Sequence, residues 1–265
     1  MKYLKRERNI LLLVSMIVYI VLWAPVIVIV IFSFSNSKFG VRWEGFTLKW
    51  YYELFHNSDV GNALKRSLII AFSAVIASSI MGTMSAYGLY KFKFFAKKFL
   101  RTSVLLPIVM PYVVTGGSLL VYFTRFFKVP LGYPSIIIAH ITFSVPLAVL
   151  VILGRMERIN WECEEASYDL GANRFTTFIK ITIPLLMPGI LSAAMLVFPW
   201  SFDDFVITFF VAGIGSTTLP IYVFSQLRYG TTPVINAIGT IFTVVTLAFI
   251  ILQNLISNRK ADNSG

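Results

Sequence analysis

Six long apolar stretches, separated by polar connections, dominate the pattern along the chain. They cover residues 10–32, 67–90, 102–124, 134–154, 189–212 and 235–257, and none of them contains Lys or Arg. A helix needs about 20 apolar residues to cross a bilayer, so each stretch is long enough to span once. The pattern predicts an all-α membrane protein with six transmembrane helices.

Composition narrows the class further. Hydrophobic residues make up 57% of the 265 residues and charged residues 13%, whereas an ordinary soluble domain carries about 25% charge. This excludes a disordered chain, a coiled coil and almost any soluble enzyme. The net charge of +11 is typical of basic loops beside anionic lipid, so we expect contact with membrane lipid and none with nucleic acid. The single cysteine, Cys163, excludes an internal disulfide and a cysteine-based cluster, and no metal site is predicted.

The basic residues also predict the orientation of the chain. The first apolar stretch is longer than the core of a signal peptide, about 7–15 residues, so it is predicted to stay as an uncleaved anchor. Of the Lys and Arg residues, 15 lie in the termini and in connections 91–101 and 155–184, and 8 lie in the other three connections. Because cytoplasmic loops carry the excess, both termini are predicted to be cytoplasmic.

Small residues recur at every fourth position of the second apolar stretch. Ala74, Ser78, Gly82 and Ala86 line one face of the predicted helix. Such a face lets a second helix approach closely, and we interpret it as a packing surface, within this chain or with another.

The connection over residues 155–184, hereafter the 155–184 loop, has a pattern of its own. Its first half is acidic, and Ile159, Ala166 and Leu170 indicate a helix with an apolar stripe. Gly171 is predicted to end that helix, because glycine tolerates a left-handed backbone. Asn173 is predicted to cap a second helix over 174–181.

The second half of this loop is apolar and aromatic. Phe175 and Phe178 stand three residues apart and are predicted to share a face, and Pro184 marks the approach to the next span. Two interpretations are open: an amphipathic element against lipid or its own bundle, or a knob that docks in a groove of another protein. The acidity argues against lipid, because the cytoplasmic leaflet is itself negative.

One motif in this loop carries a family resemblance. Its residues are Glu165, Ala166, Ser167, Gly171, Ile181 and Pro184. They resemble the EAA loop of ABC importer permeases, E-A-A-x3-G-x9-I-x-L-P, with Ser167 in place of Ala and Ile183 in place of Leu. The resemblance implies a type I ABC importer permease fold over a single domain, 1–265, in which the short helix of this loop inserts into the ATP-hydrolysing subunit.

Three further segments resemble spermidine/putrescine transporter permeases of the C-subunit type. They cover residues 33–51, 139–146 and 201–237. The resemblance implies polyamine import across a bacterial inner membrane, together with a second homologous permease, an ATP-binding subunit dimer and an extracytoplasmic polyamine-binding protein. A permease for iron or another small solute remains the alternative, since related permeases share parts of these segments.

The sequence lacks a nucleotide-binding motif of its own. The pattern G-x4-G-K-[ST] does not occur, so no cofactor is expected on this chain, and ATP and Mg are expected on the partner ATPase. The chain is therefore predicted not to be an enzyme. The alternative from another class is an intramembrane serine protease, because His140 and Ser144 stand one helical turn apart, but no nucleophile in a Gly-x-Ser-x-Gly context supports it. A secondary transporter is a further alternative, although no internal repeat supports it.

Asp203 and Asp204 are the only acids within the predicted spans. A carboxylate inside a membrane costs about 2.5–3.5 kcal/mol on insertion scales, so two adjacent ones require a reason. Either they bond to neighbouring backbone or to another subunit, or they line a path for a cation. The polyamine resemblance favours the second interpretation, with Trp200 beside them as a cation–π partner.

Overall fold

The computed structural model describes residues 2–37, 42–229 and 233–262, with side chains described over 9–37, 42–228 and 233–248. The predicted segments 33–51, 201–237 and 235–257 therefore lie partly outside the described residues. Helices make up most of the described chain. They are α1 (Lys2–Ser33), α2 (Lys49–His56), α3 (Ser58–Lys91), α4 (Lys97–Ser103), α5 (Leu106–Val109), α6 (Tyr112–Val121), α7 (Tyr133–Met156), α8 (Glu162–Asp169), α9 (Arg174–Thr177), α10 (Ile183–Phe202), α11 (Val206–Val211), α12 (Leu219–Tyr229) and α13 (Pro233–Asp262), with π-helical turns at Tyr122–Phe127 and Phe178–Thr182.

The long helices fall where the apolar stretches predicted them. Among the described residues, four helices are long and apolar enough to cross a membrane, and a bent pair makes a fifth if it counts as one span. The part of α13 with described side chains, Pro233–Ala248, is also apolar and lies in the sixth predicted stretch. The protein is therefore an all-α membrane protein. The four long helices are Asn9–Ser33, Ser58–Lys91, Tyr133–Met156 and Arg174–Phe202, and the bent pair is Lys97–Val109 with Tyr112–Phe127.

Two predicted spans differ from single continuous helices. The chain over 102–124 bends by 104° between Val109 and Tyr112, because a residue before proline disfavours helical geometry and Met110 is extended, with ψ 139°, before Pro111. The stretch 189–212 is broken between α10 and α11 at residues 203–205, hereafter the α10–α11 break. Hydropathy detects neither interruption, since both lie within stretches that are apolar on average.

One compact unit contains residues 1–61 and 223–265. In its described part α1 packs along α13, and a Cβ built on Gly239 would lie 3.2 Å from a methyl group of Ile29. After α1, the Trp50 indole N–H donates to the Ser35 carbonyl at 2.7 Å. This bond holds the start of α2 against the segment that leaves α1.

The other compact unit, residues 62–222, contains the helices that carry the predicted sites. Its core lies between α7 and α10, where Ala148, Ile152, Ala193 and Val197 are fully buried. The small-residue face of α3 is buried as predicted, and a Cβ built on Gly82 would lie 2.6 Å from the Ala148 Cβ. The face therefore serves close packing of α3 against α7 within this chain.

Candidate functional site

The 155–184 loop folds as a helix, a glycine turn and a second helix. Gly171 adopts φ +83° directly after α8, where a residue with a Cβ is strained. The Asn173 side chain then accepts the backbone N–H of Thr176 at 2.8 Å and caps α9. The predicted helix end at Gly171 and the predicted cap at Asn173 are confirmed.

The second helix was predicted over 174–181, but it does not end before Pro184. Helical geometry runs from Arg174 to Phe202 through the π-helical turn Phe178–Thr182. The Ile183 N–H donates to the Phe178 carbonyl, five residues back. Proline in an α-helix clashes with the carbonyl four residues earlier, and the wider turn before Pro184 accommodates the ring. The loop is thus continuous with the membrane helix that follows it.

The motif residues divide between surface and interior. Glu165, Ala166, Gly171 and Pro184 are exposed, and Ile181 is half-buried. Ser167 is buried, and its Oγ lies 2.8 Å from the Thr177 Oγ1, which ties α8 to α9. An alanine, the usual residue at position 167 of the motif, has no hydroxyl to make this contact.

The apolar side chains of the loop are placed differently from the prediction. Leu170 is 89% exposed and Phe175 is 75% exposed. Phe178 instead packs edge-on against the Tyr87 ring, with centroids 4.9 Å apart, so it does not share the exposed position of Phe175. Ile159 packs against the core between α7 and α10 rather than extending an exposed stripe. Leu170 and Phe175 are therefore the most exposed apolar side chains that the loop offers.

Glu164 is the loop residue that sequence reasoning missed. Its side chain is 4% exposed, and its Oε2 lies 3.2 Å from the Lys91 Nζ. The same carboxylate accepts the hydroxyl protons of Thr182 at 3.3 Å, Tyr168 at 3.3 Å and Tyr87 at 3.5 Å. Burial and the Glu164 charge raise the pKa of the Tyr168 hydroxyl above its ordinary value, which keeps this donor protonated. Glu164, Lys91 and the two tyrosines border a cavity of about 680 Å³ that also contacts Glu165 and Arg174.

At the α10–α11 break the two aspartates have different environments. Asp203 is exposed. The Asp204 side chain is 5% exposed, and its carboxylate accepts the N–H of Thr208 at 2.8 Å and of Ile207 at 3.4 Å. Because these bonds satisfy the first N–H groups of α11, Asp204 starts that helix.

Aromatic rings stand beside this break. Trp200 is 39% exposed and Tyr112 is 36% exposed, and their rings meet edge-to-face with centroids 6.3 Å apart. Tyr112 directly follows the bend between α5 and α6. The two interruptions of helical geometry thus bring partly exposed rings into contact beside an exposed acid.

His140 belongs to a buried chain of hydrogen bonds at the same break. The Thr208 hydroxyl donates to Asp204 at 2.8 Å, so it accepts from the His140 Nε2 at 2.8 Å while Asp204 is ionised. The His140 Nδ1 then accepts the Ser201 hydroxyl proton at 2.6 Å. Ser144 is buried without a hydrogen-bond partner, so the His140–Ser144 contact that a serine protease requires is not made.

No group of three His, Cys, Asp or Glu side chains converges for a metal ion in the part of the chain that the structure describes. The only cysteine, Cys163, is exposed on α8. The candidate chemistry therefore lies in the 155–184 loop and at the α10–α11 break.

Comparison with known proteins agrees with this architecture. A family model described as binding-protein-dependent transport system inner membrane component matches residues 74–262. The spermidine/putrescine transport system permease protein PotC of Escherichia coli strain K12 is 35% identical over 243 residues, which cover 92% of each chain. The putrescine transport system permease protein PotI of the same strain is 40% identical over 227 residues, which cover 83% of this chain and 80% of PotI.

A solved structure shows the same fold. The structure is a bacterial alginate ABC transporter in complex with an alginate pentasaccharide-bound periplasmic protein. It matches with a TM-score of 0.73 at 19% identity, over 97% of this chain and 96% of that chain.

The apolar helices and these matches together define a membrane-embedded transport subunit. The chain belongs to the family of binding-protein-dependent transport system inner membrane components. It is a permease subunit of an ABC importer, and it is not itself an enzyme.

Proposed function

We propose that this chain carries polyamines, spermidine or putrescine, across the bacterial inner membrane as one permease subunit of an ABC importer. The observation that carries the proposal is the 35% identity with a spermidine/putrescine permease over 92% of both chains. The similarity to a putrescine permease, 40% over 83% of this chain, supports the same substrate class.

The charge of the candidate path supports a cationic substrate. None of the six apolar stretches contains Lys or Arg, and Asp203 and Asp204 are their only acids. Asp203 follows the C-terminal end of α10, where free carbonyl groups add partial negative charge. Trp200 and Tyr112 offer ring faces for cation–π contact with an ammonium group. An anion importer instead needs basic residues or helix N-termini along its path.

We further propose that the 155–184 loop docks on an ATP-binding subunit dimer, which binds ATP and Mg and supplies the energy. Its exposed Glu165, Leu170 and Phe175 fit a protein groove better than an anionic lipid surface. A second homologous permease completes the pore, and an extracytoplasmic polyamine-binding protein delivers the substrate. Both termini and this loop face the cytoplasm.

Transport by the reconstituted complex tests the substrate. The complete importer is placed in proteoliposomes with ATP and loaded binding protein, and uptake of radiolabelled spermidine, putrescine and ferric citrate is measured. We expect ATP-dependent uptake of a polyamine that ferric citrate does not inhibit. Uptake of iron without uptake of either polyamine would contradict the proposal.

Thiol labelling in cells tests the orientation. In a Cys163→Ser background, Lys98→Cys is expected to react with an impermeant reagent only from the cytoplasmic side, and Gly215→Cys only from outside. Both positions are exposed on the subunit. The reverse pattern would overturn the orientation that the basic residues indicate.

A further inference from the structure

Glu164 is exceptional among the acids of α8. Glu162 and Glu165 are exposed, as the surface of a short acidic helix requires, whereas Glu164 is 3% exposed. A buried carboxylate is costly unless it is paired and hydrogen-bonded. Donors from three places meet this cost: Tyr87 and Lys91 on α3, Tyr168 on α8, and Thr182 in the turn that leads to α10.

Lys91 makes a second contact that joins further helices. Its Nζ lies 3.8 Å from the centroid of the Trp161 ring, directly before α8. The indole N–H of Trp161 lies 3.2 Å from both the Tyr90 hydroxyl on α3 and the Met156 carbonyl at the end of α7. Tyr90 also stacks on the Trp161 ring, with centroids 5.3 Å apart. The ends of α3 and α7 and the start of α8 are therefore held together around one ion pair.

A second ion pair shows what an ordinary contact looks like on the same segments. The Arg101 guanidinium lies 3.3 Å from Glu157, and both side chains are 58% exposed. Such exposed pairs contribute little, because water and salt screen them. The Lys91 and Glu164 side chains are 25% and 4% exposed, so screening is much weaker there.

We propose that Glu164 is a positioning residue that makes α3, α8 and the start of α10 move as one body. This inference rests on the proposed docking of the 155–184 loop. A displacement of α8 by the ATPase reaches α10 through the continuous helix after Arg174, but it reaches α3 only through side-chain contacts. Glu164 contacts both routes, so its charge determines whether ATP hydrolysis moves both membrane helices.

The coupling ratio, ATP hydrolysed per polyamine imported, tests this role. It is measured with the complete importer in proteoliposomes by phosphate release and radiolabelled spermidine uptake. In Glu164→Gln and Lys91→Met complexes that retain the ATPase, the ratio is expected to rise about threefold or more, as for other coupling networks. Lys91→Arg, which keeps the charge, is expected to stay near the wild-type ratio.

The exposed ion pair provides a matched control outside the 155–184 loop. Arg101→Met removes the basic partner of the pair at 3.3 Å and is expected to leave the ratio unchanged. Thr182→Val removes one donor to Glu164 without removing a charge, and a smaller rise is expected from it. If the variants that remove a charge do not assemble, the coupling ratio of the Thr182→Val complex still tests the role of Glu164.

Two results would overturn the positioning role. One is an unchanged ratio in assembled Glu164→Gln and Thr182→Val complexes. The other is a variant in which bound ATPase and polyamine uptake fall by the same factor while the coupling ratio stays constant. That result is expected of a residue needed only for folding. The docking proposal fails separately, if disruption of the Gly171 turn leaves the ATPase fully bound.

Discussion

The chain carries two pairs of adjacent acids, Glu164–Glu165 in the 155–184 loop and Asp203–Asp204 at the α10–α11 break. In each pair one acid is exposed and the other is closed off, with the Glu164 side chain 4% exposed and that of Asp204 5% exposed. Both buried acids accept hydrogen bonds that fix the local backbone or its neighbours. In both pairs the exposed neighbour is the acid that is available to a partner.

The two pairs differ in how the buried charge is balanced. Glu164 lies against the Lys91 ammonium at 3.2 Å, whereas Asp204 accepts from N–H groups and the Thr208 hydroxyl and lies 3.6 Å from His140. A basic side chain within a transmembrane helix costs up to about 2.5–3.5 kcal/mol on insertion scales, so neutral donors balance a buried carboxylate at a lower insertion cost. Under the proposed function, the negative charge at the break is available to a cationic substrate, whereas the charge of Glu164 is already paired with Lys91.

The largest effect is expected from the exposed acid at the break. Asp203→Asn should leave the complex assembled and reduce polyamine uptake about tenfold or more, the effect of about 1.4 kcal/mol at the barrier. Radiolabelled spermidine uptake, normalised to the amount of co-purified ATPase, measures it.

Asp204→Asn makes the same substitution at the neighbouring, buried acid and is compared with Asp203→Asn. Because Asp204 satisfies the first N–H groups of α11, its neutral variant should lose thermal stability more than it loses uptake. If both variants assemble and transport at wild-type rates, both acids are structural and the path lies elsewhere.

The second effect concerns the turn that presents Glu165. Gly171 has φ +83° and nothing within 4 Å of a built Cβ, so a substitution there strains the backbone without a steric clash. Gly171→Val should cost about 1–2 kcal/mol in this conformation and reduce ATPase retention on purification about fivefold or more. Gly171→Asn should retain the ATPase, because asparagine tolerates left-handed geometry. Equal retention by the two variants would remove the turn from the docking role.

Local chemistry explains what the sequence predicted well. The turn at Gly171 and the cap at Asn173 depend on backbone geometry within a few residues. The apolar stretches are equally visible in the sequence, because a helix surrounded by lipid hydrocarbon must be apolar over about 20 consecutive residues. The second helix was predicted to end at residue 181, whereas a π-helical turn accommodates Pro184 and lets the helix continue into the next span.

Long-range contacts explain what the sequence did not predict. The Glu164 contact with Tyr87 joins residues 77 positions apart, and the His140 contacts with Ser201 and Thr208 join residues 61 and 68 positions apart. Glu164 stands in an acidic run in which each carboxylate looks equally suited to solvent. Only the packing of α3 beside the loop distinguishes Glu164 from the other acids, and no local sequence pattern predicts that packing.

The third effect separates two buried serines near His140. Ser201→Ala removes the donor to the His140 Nδ1 and leaves a buried nitrogen unpaired, which should cost about 1–3 kcal/mol. Ser144→Ala removes a hydroxyl that has no partner and should be close to neutral. Thermal unfolding of the purified complex measures both, and a larger loss for Ser144→Ala would show that the hydrogen-bond chain is assigned wrongly.

The smallest effect is expected at Tyr168, which shares the Glu164 carboxylate with the charged Lys91 ammonium and two other hydroxyl donors. Burial and the Glu164 charge raise its pKa above the ordinary 10.0. The folded state therefore favours the neutral hydroxyl, so its contribution is present below pH 10 and is lost as the pH rises through the raised pKa.

At pH 8, Tyr168→Phe should lower ATPase retention by less than about twofold, since the side chain is 38% exposed and its contact is partly screened. Above the raised pKa of Tyr168 the variant should match or exceed the wild type, because the wild-type phenolate then repels Glu164 while phenylalanine does not. Tyr133→Phe, at a position 37% exposed, is the control for loss of a tyrosine hydroxyl and should not change this pH dependence. A Tyr168→Phe deficit that persists unchanged after the wild-type Tyr168 has ionised, as followed by tyrosinate absorbance, would mean that the hydroxyl acts on something other than the Glu164 charge.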